Sequence, residues 1–257
     1  MLKMQHLIRE KSLLTTKDST QVITALLVAV VIYLIAVVMP KFVIDNFVPK
    51  ILTTQGLELL LSLLAIAIVG KGMFSKYGFC LPRVVEPGES GTRWMRSAAF
   101  APLLGIVASP LILVLGGKGN PMVKQLSLLQ IILFIWVFSS IIEEVFTRGF
   151  LQGHLSSLSG KYCRFLSFRI EFPVLISSLF FAFMHLALIF TGVDATTMIV
   201  TIFFTFSIGL MAGHLRAKTG SLIPAIVVHM LANIGGMIGG IIYAIINFLL
   251  TGKLPGA

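Results

Sequence analysis

Charge is scarce in this sequence. Asp, Glu, Lys and Arg make up 12% of its 257 residues, about half the share of a soluble domain. No stretch of ordinary composition is long enough for a separate soluble unit, so the chain is expected to form one integral membrane domain over 1–257. Cysteine is nearly absent. Cys80 and Cys163 lie in separate loops, with no CxxC partner and no His cluster nearby, which excludes a zinc finger or a dithiol redox motif. No HExxH occurs, and there is neither an internal repeat nor a low-complexity tract. The N-terminus is polar and basic for about 20 residues, then apolar for about 19. That is too long for a signal-peptide core and has no clear small-residue cleavage site, so it reads as a retained first span.

What the chain has is apolar runs, with 57% hydrophobic residues. A membrane helix needs about 20 apolar residues. The candidates are Val22–Met39, Leu57–Val69 (extended back through Ile51), Trp94–Leu115, Ser127–Leu155, Phe172–Phe190, Thr196–Leu215 and Leu222–Leu250. Gly235, Gly236, Gly239 and Gly240 would break the last into two. The expected fold is therefore all-α: a polytopic bundle of seven or eight transmembrane helices.

The net charge of +10 does not imply nucleic acid, because the basic residues sit in short loops between apolar runs. With the N-terminus in the cytosol, inside segments hold fourteen of them: Lys3, Arg9, Lys11, Lys17, Lys71, Lys76, Arg83, Arg93, Arg96, Lys161, Arg164, Arg169, Arg216 and Lys218. Outside loops hold four, Lys41, Lys50, Lys118 and Lys124. This asymmetry predicts a multi-pass protein with a cytosolic N-terminus. The longest loop, from Gly70 to Arg93, carries Pro82, Pro87, Gly88 and Gly91 as turn residues.

Against this apolar background, Glu143, Glu144 and Arg148 stand inside the fourth span. A charge at the centre of a spanning helix costs roughly 2.5–3.5 kcal/mol on insertion scales, so such residues are functional candidates. At 1.5 Å per residue, the two glutamates lie roughly 17–18 Å from the inner end of their span, His185 roughly 20 Å in, His229 roughly 12 Å and Asn233 roughly 18 Å. Five polar groups on three helices thus share one layer, toward the cytosolic side. Glu144 and Arg148 are four apart, on one helix face, where an ion pair lowers the cost of both. Glu143 points about 100° away from Glu144, free to face other helices and to act as a general base toward water. His229 and Asn233 are also four apart; as two donors aimed at one point they would stabilise an oxyanion. His185 would hold the water or pass its proton, with Phe181 packed one turn beneath it.

Three motifs stand in order on separate helices: Glu143-Glu144-Val145-Phe146-Thr147-Arg148, Phe181-Ala182-Phe183-Met184-His185 and His229-Met230-Leu231-Ala232-Asn233. As EExxxR, FxxxH and HxxxN they resemble the CPBP or Abi family of intramembrane proteases, which includes the type II CAAX prenyl endopeptidases. The resemblance runs from about 128 to 250. It implies an intramembrane helical bundle with a cavity open to cytosol and membrane. It also implies water activated by Glu143 with His185, an oxyanion site of His229 and Asn233, and Glu144 and Arg148 shaping the site. The expected activity is endopeptidase cleavage near the cytosolic membrane face, without a cofactor. A prenylated C-terminus is the family's best-known target; the expected partners are membrane lipid and a peptide or lipidated protein.

Two other readings compete. In a zinc protease of the same architecture, Glu143, His185 and His229 would be the ligands with water fourth, though no separate carboxylate is then left as base. In a non-catalytic immunity or scaffold protein, or a transporter, the same buried charges would serve structure or proton movement. Elsewhere, Glu58 is expected to reach water at the outer end of its span. Ser139 and Ser140 are expected to bond helix carbonyls, and Asp194 to cap a helix. His154 and His214 are expected near the cytosolic interface.

Overall fold

The computed structural model describes residues 15–83, 93–121, 123–165 and 168–252. Lys3, Arg9, Lys11, Pro87, Gly88, Gly91 and Lys253 lie outside the described residues. Seven helical segments are long and apolar enough to cross a membrane. The first is α1 (Thr16–Val43), opened by Thr15 and Asp18 in a reciprocal capping box. Next is α2 (Phe47–Val69). The third span consists of α3 (Arg93–Ala98) and α4 (Ala101–Val114). The fourth is α5 (Leu128–Leu158), and the fifth α6 (Phe172–Met184) with its 3₁₀ continuation His185–Thr191. The last two are α7 (Ala195–Thr219) and α8 (Ile223–Thr251). The chain is an integral, multi-pass, all-α membrane protein.

A short antiparallel hairpin, β1 (Tyr162–Phe165) with β2 (Phe168–Glu171), joins α5 to α6 where the sequence suggests only a loop. Lys161 at its base pairs with Asp18, and Gln21 Nε2 donates to His154 O at 2.8 Å. The start of α1 is thereby tied to the end of α5.

The glycines of the last span do not break it; α8 is continuous. Two of them, Gly235 and Gly239, serve close approach. A Cβ on Gly235 would lie 2.1 Å from Pro102 O, one on Gly239 2.5 Å from Ile106 O, and one on Gly105 2.1 Å from Ala232 O. Backbone touches backbone along this seam, as small residues permit between membrane helices. The seam locks α8, and with it His229 and Asn233, against α4.

The two halves of the bundle, above and below the glutamates, differ. The half nearer the start of α1 is filled. Phe146, Phe150, Leu151 and Leu155 of α5 pack against Ala25, Ala29 and Ile32 of α1, Ile66 of α2 and Tyr77. The segment after α2 folds beneath the ends of α7 and α8: Leu222 N donates to Gly78 O, Arg83 N to Thr219 O, and Arg216 Nη2 to Lys76 O. Gly220, at φ +71°, turns the chain between α7 and α8. The other half encloses a cavity.

Candidate active site

α5 is not a uniform α-helix. Ile131–Ser139 and Val145–Leu151 are π-helical and flank one α-helical turn, Ser140–Glu144. π segments are rare and recur at functional sites. Two backbone carbonyls of the first segment accept hydrogen bonds from side-chain amides of neighbouring helices. Gln55 Nε2 of α2 donates to Phe134 O at 2.9 Å, and Asn233 Nδ2 of α8 to Ile135 O at 3.1 Å. Nothing in the apolar sequence 131–139 signals this geometry.

On the central turn, Glu144 faces inward to the protein and pairs with Arg148, Oε2 to Nε 3.3 Å, both side chains fully buried. Glu144 Oε1 also meets His229 Nδ1 at 3.1 Å. The Arg148 guanidinium lies 4.6 Å from the centre of the Phe181 ring and hydrogen-bonds Thr147 Oγ1. Phe181 in turn touches both imidazoles edge-on, at 5.1 Å from His185 and 5.3 Å from His229. Arg148 and Phe181 thus form a buried plinth beneath the histidines. Gly209 of α7 makes room for it, since a Cβ there would lie 2.8 Å from Arg148 Nη2.

Glu143 turns the other way, into the cavity. Its Oε1 accepts a hydrogen bond from Ser139, and its Oε2 is buried without a hydrogen-bond partner, 3.9 Å from His229 Nε2. His185 Nδ1 bonds Phe181 O at 2.9 Å. A carbonyl only accepts, so Nδ1 carries the proton, and Nε2 of the neutral ring is left as an acceptor. Glu143, His185, His229 and Asn233 line the same cavity, of about 440 Å³. The layer expected from helix depths is therefore a single cluster, and it sits midway along α5 rather than toward one face.

Three details differ from expectation. The Asn233 amide nitrogen does not point with His229 at an open position; it donates to Ile135 O and, at 3.2 Å, to Ser140 Oγ. Ser139 and Ser140 serve side chains, Glu143 and Asn233, rather than helix carbonyls. Glu58 is not at the surface of the span: it is 5% exposed, lines the cavity, and leaves Oε1 without a hydrogen-bond partner. The criterion that singled out Glu143, an acid inside an apolar span, applies equally to Glu58. Its place near the end of a short apolar run disguised it. Tyr33 was not singled out either; its hydroxyl donates to Met184 O at 2.6 Å and fixes the turn carrying His185. For the zinc alternative, no group of three His, Cys, Asp or Glu among the described residues is placed to hold a metal ion.

Residues 125–235 match a family model described as Type II CAAX prenyl endopeptidase Rce1-like. This segment, less than half of the chain, resembles the Rce1-like family. The Rce1-like segment begins just before α5 and ends two residues after Asn233, so it takes in all three motif helices. The family implies a membrane protease, a hydrolase of peptide bonds acting as a CAAX-type intramembrane endopeptidase. No curated protein and no solved structure matches the chain. The first three spans, which supply Tyr33, Gln55 and Glu58, lie outside the match.

The lining of the cavity also locates its mouth. From Glu143, His185 and His229 the lining rises past Thr54, Leu188 and Val123 to Lys41, Lys50 and Asn120. The mouth is thus at the far end of α1 from the N-terminus. The cytosolic N-terminus expected from loop charges and the opening to the cytosol implied by the resemblance lie at opposite ends of this fold.

Proposed function

We propose that the chain hydrolyses a peptide bond within the membrane by base-activated water, with Glu143 as the base. The observation that carries this reading is the free oxygen of Glu143. A buried carboxylate oxygen without a partner is costly, and here Glu143 lines the same cavity as His185. A water between Glu143 Oε2 and His185 Nε2 would direct one O–H at each and its lone pair at a bound carbonyl carbon. As the water oxygen bonds to that carbon, Glu143 takes the proton. The carbonyl oxygen becomes an oxyanion. The C–N bond then breaks, and the proton held by Glu143 passes to the leaving amine.

The donors to the oxyanion are His229 and Asn233. In its imidazolium form, His229 gives Nδ1–H to Glu144 and presents Nε2–H toward the cavity. Asn233 keeps one amide hydrogen on Ile135 O. It moves the other from Ser140 to the oxyanion. Glu144, Arg148 and Phe181 set the position of His229 and do not touch the substrate. No metal enters this reading, and it needs no covalent enzyme intermediate.

The test compares protein termini in membranes carrying wild type or Glu143→Gln. Removing a general base lowers the rate by about 10²–10⁴-fold, so termini present with wild type should vanish with the variant. Identical sets of termini, with both proteins folded and equally abundant, would overturn the protease reading in favour of the scaffold or immunity role.

A further inference from the structure

We infer that the cavity is loaded from the extracytoplasmic face of the membrane, and that its substrate is a polypeptide segment presented at that face. The inference rests on the protease reading for the word substrate. The direction of access has its own support.

The first support is where the lining stops. α1 contributes only from Tyr33 onward, α2 only as far as Glu58, α5 only as far as Glu143, and α6 only from Met184. α7 contributes Thr197 and Thr201, in its first two turns. Each of these five spans thus lines the cavity with the half remote from the N-terminal end of α1. α8 gives His229 and Asn233 from its first half, because it starts deep: Leu222, just before it, is buried under Gly78.

The second support is the floor. Beneath Glu143 lie Arg148, Phe146, Phe150 and Gln152, each no more than 2% exposed. The Gln152 amide closes the layer on Gly213 O at 2.9 Å. A substrate arriving from that end would have to displace a buried ion pair and a packed aromatic core.

The third support is charge. Among the described residues, the sealed end carries eleven Lys and Arg, and the open end four, Lys41, Lys50, Lys118 and Lys124. Loop bases are retained in the cytosol, which puts the sealed end inside and the mouth outside. The volume of about 440 Å³ suits a small-molecule-sized group: a few residues around a scissile bond, not a folded domain. A C-terminal cysteine prenylated in the cytosol would lie on the wrong side. A segment of a membrane-anchored or exported protein at the outer leaflet would lie on the right one.

The native cysteines make the test direct. Cys163, in the hairpin, lies at the sealed end, and Lys50 at the mouth. Two single-cysteine forms are needed: Cys80→Ser, which retains Cys163, and Cys80→Ser/Cys163→Ser/Lys50→Cys. Sealed vesicles with the cytosolic face outward are treated with a membrane-impermeant maleimide. Cys163 should label at once, and the cysteine at position 50 only after detergent opens the vesicles. Labelling at position 50 in sealed vesicles overturns the inference, whether or not Cys163 also labels, and so does failure to label there in detergent.

The second arm locates the termini that depend on wild type over Glu143→Gln. Termini in extracytoplasmic segments support the inference, and termini confined to cytosolic segments overturn it. If no termini differ, the protease reading fails, while the labelling still decides the face of access.

Discussion

The buried triad Arg148–Glu144–His229 makes a quantitative prediction, because its members are unequally compensated. In Glu144→Gln the shape is kept, and the amide oxygen still accepts from His229 Nδ1. The Arg148 guanidinium, however, loses the carboxylate that lies 3.3 Å away. Removing one partner of a buried ion pair costs about 3–5 kcal/mol. The Phe181 ring at 4.6 Å is in place before and after the change, so it offers no new compensation. In Arg148→Met, by contrast, Glu144 keeps His229 at 3.1 Å. A hydrogen bond to a charged group is worth about 1.5–3 kcal/mol, so this variant should lose less than Glu144→Gln. The double variant replaces the pair by uncharged groups of similar volume, which is often near neutral. The two singles should therefore fail to add, with a coupling of about 2 kcal/mol or more. For a chain of this size each kcal/mol moves the melting temperature by about 2–4 °C, so Glu144→Gln should melt roughly 6–20 °C lower. Thermal unfolding of the three variants in detergent measures this. Additive singles, or a Glu144→Gln protein as stable as wild type, would refute the account of the plinth.

Three further outcomes follow from the same geometry. Gly235→Ala places a Cβ 2.1 Å from Pro102 O, whereas the next residue, as Gly236→Ala, meets only Ser109 Oγ at 3.5 Å. Overpacking should cost the first about 1–3 kcal/mol and leave the second unchanged or slightly stabilised, as paired melting curves would show. Asp194 accepts hydrogen bonds from Lys118 N, Thr197 N and Thr197 Oγ1, which hold its carboxyl well below the ordinary value of 3.8. A depressed carboxylate stabilises the fold above its unfolded pKa and loses that contribution as pH falls toward the folded one. Asp194→Ala should therefore melt below wild type at neutral pH, with a gap that shrinks as the pH is lowered from about 4; a gap independent of pH would contradict the assignment. Finally, a strong chelator should leave wild-type cleavage of membrane substrates intact, and loss of cleavage restored by added zinc would favour the metal reading.

The seven spans were legible because hydrophobic runs of sufficient length have one solution in a bilayer. The clustering of Glu143, Glu144, Arg148, His185 and His229 was legible because helix periodicity converts spacing into facing, and the shared depth converts facing into proximity. What escaped depends on information that no single helix carries. In the first π segment of α5, Phe134 O and Ile135 O take amides from α2 and α8, partners that residues 131–139, read alone as an ordinary apolar helix, do not reveal. Asn233 was read by its distance from His229 alone, and its closer partners are on α5. Glu58 belongs to no motif and sits in the first half of the chain, where no pattern invited a comparison with Glu143. The glycines of α8 were ambiguous between a break and a seam until Pro102 and Ile106 of α4 were opposite them.

The direction of access shows the same division from another side. A helix motif fixes which side chains meet, but it is silent about which end of the helix faces the cytosol. EExxxR, FxxxH and HxxxN would form the same cluster in a bundle inserted either way up. Loop charges fix the insertion and are silent about where a cavity opens. Only when packing is added, with Phe146, Phe150 and Gln152 closing one end and Lys41 and Lys50 rimming the other, do the two kinds of information combine into a statement about substrate. The matched segment holds the motif helices, whereas the rim of the cavity is built largely from spans outside it. For this chain, those spans place the mouth on the side with few basic loops.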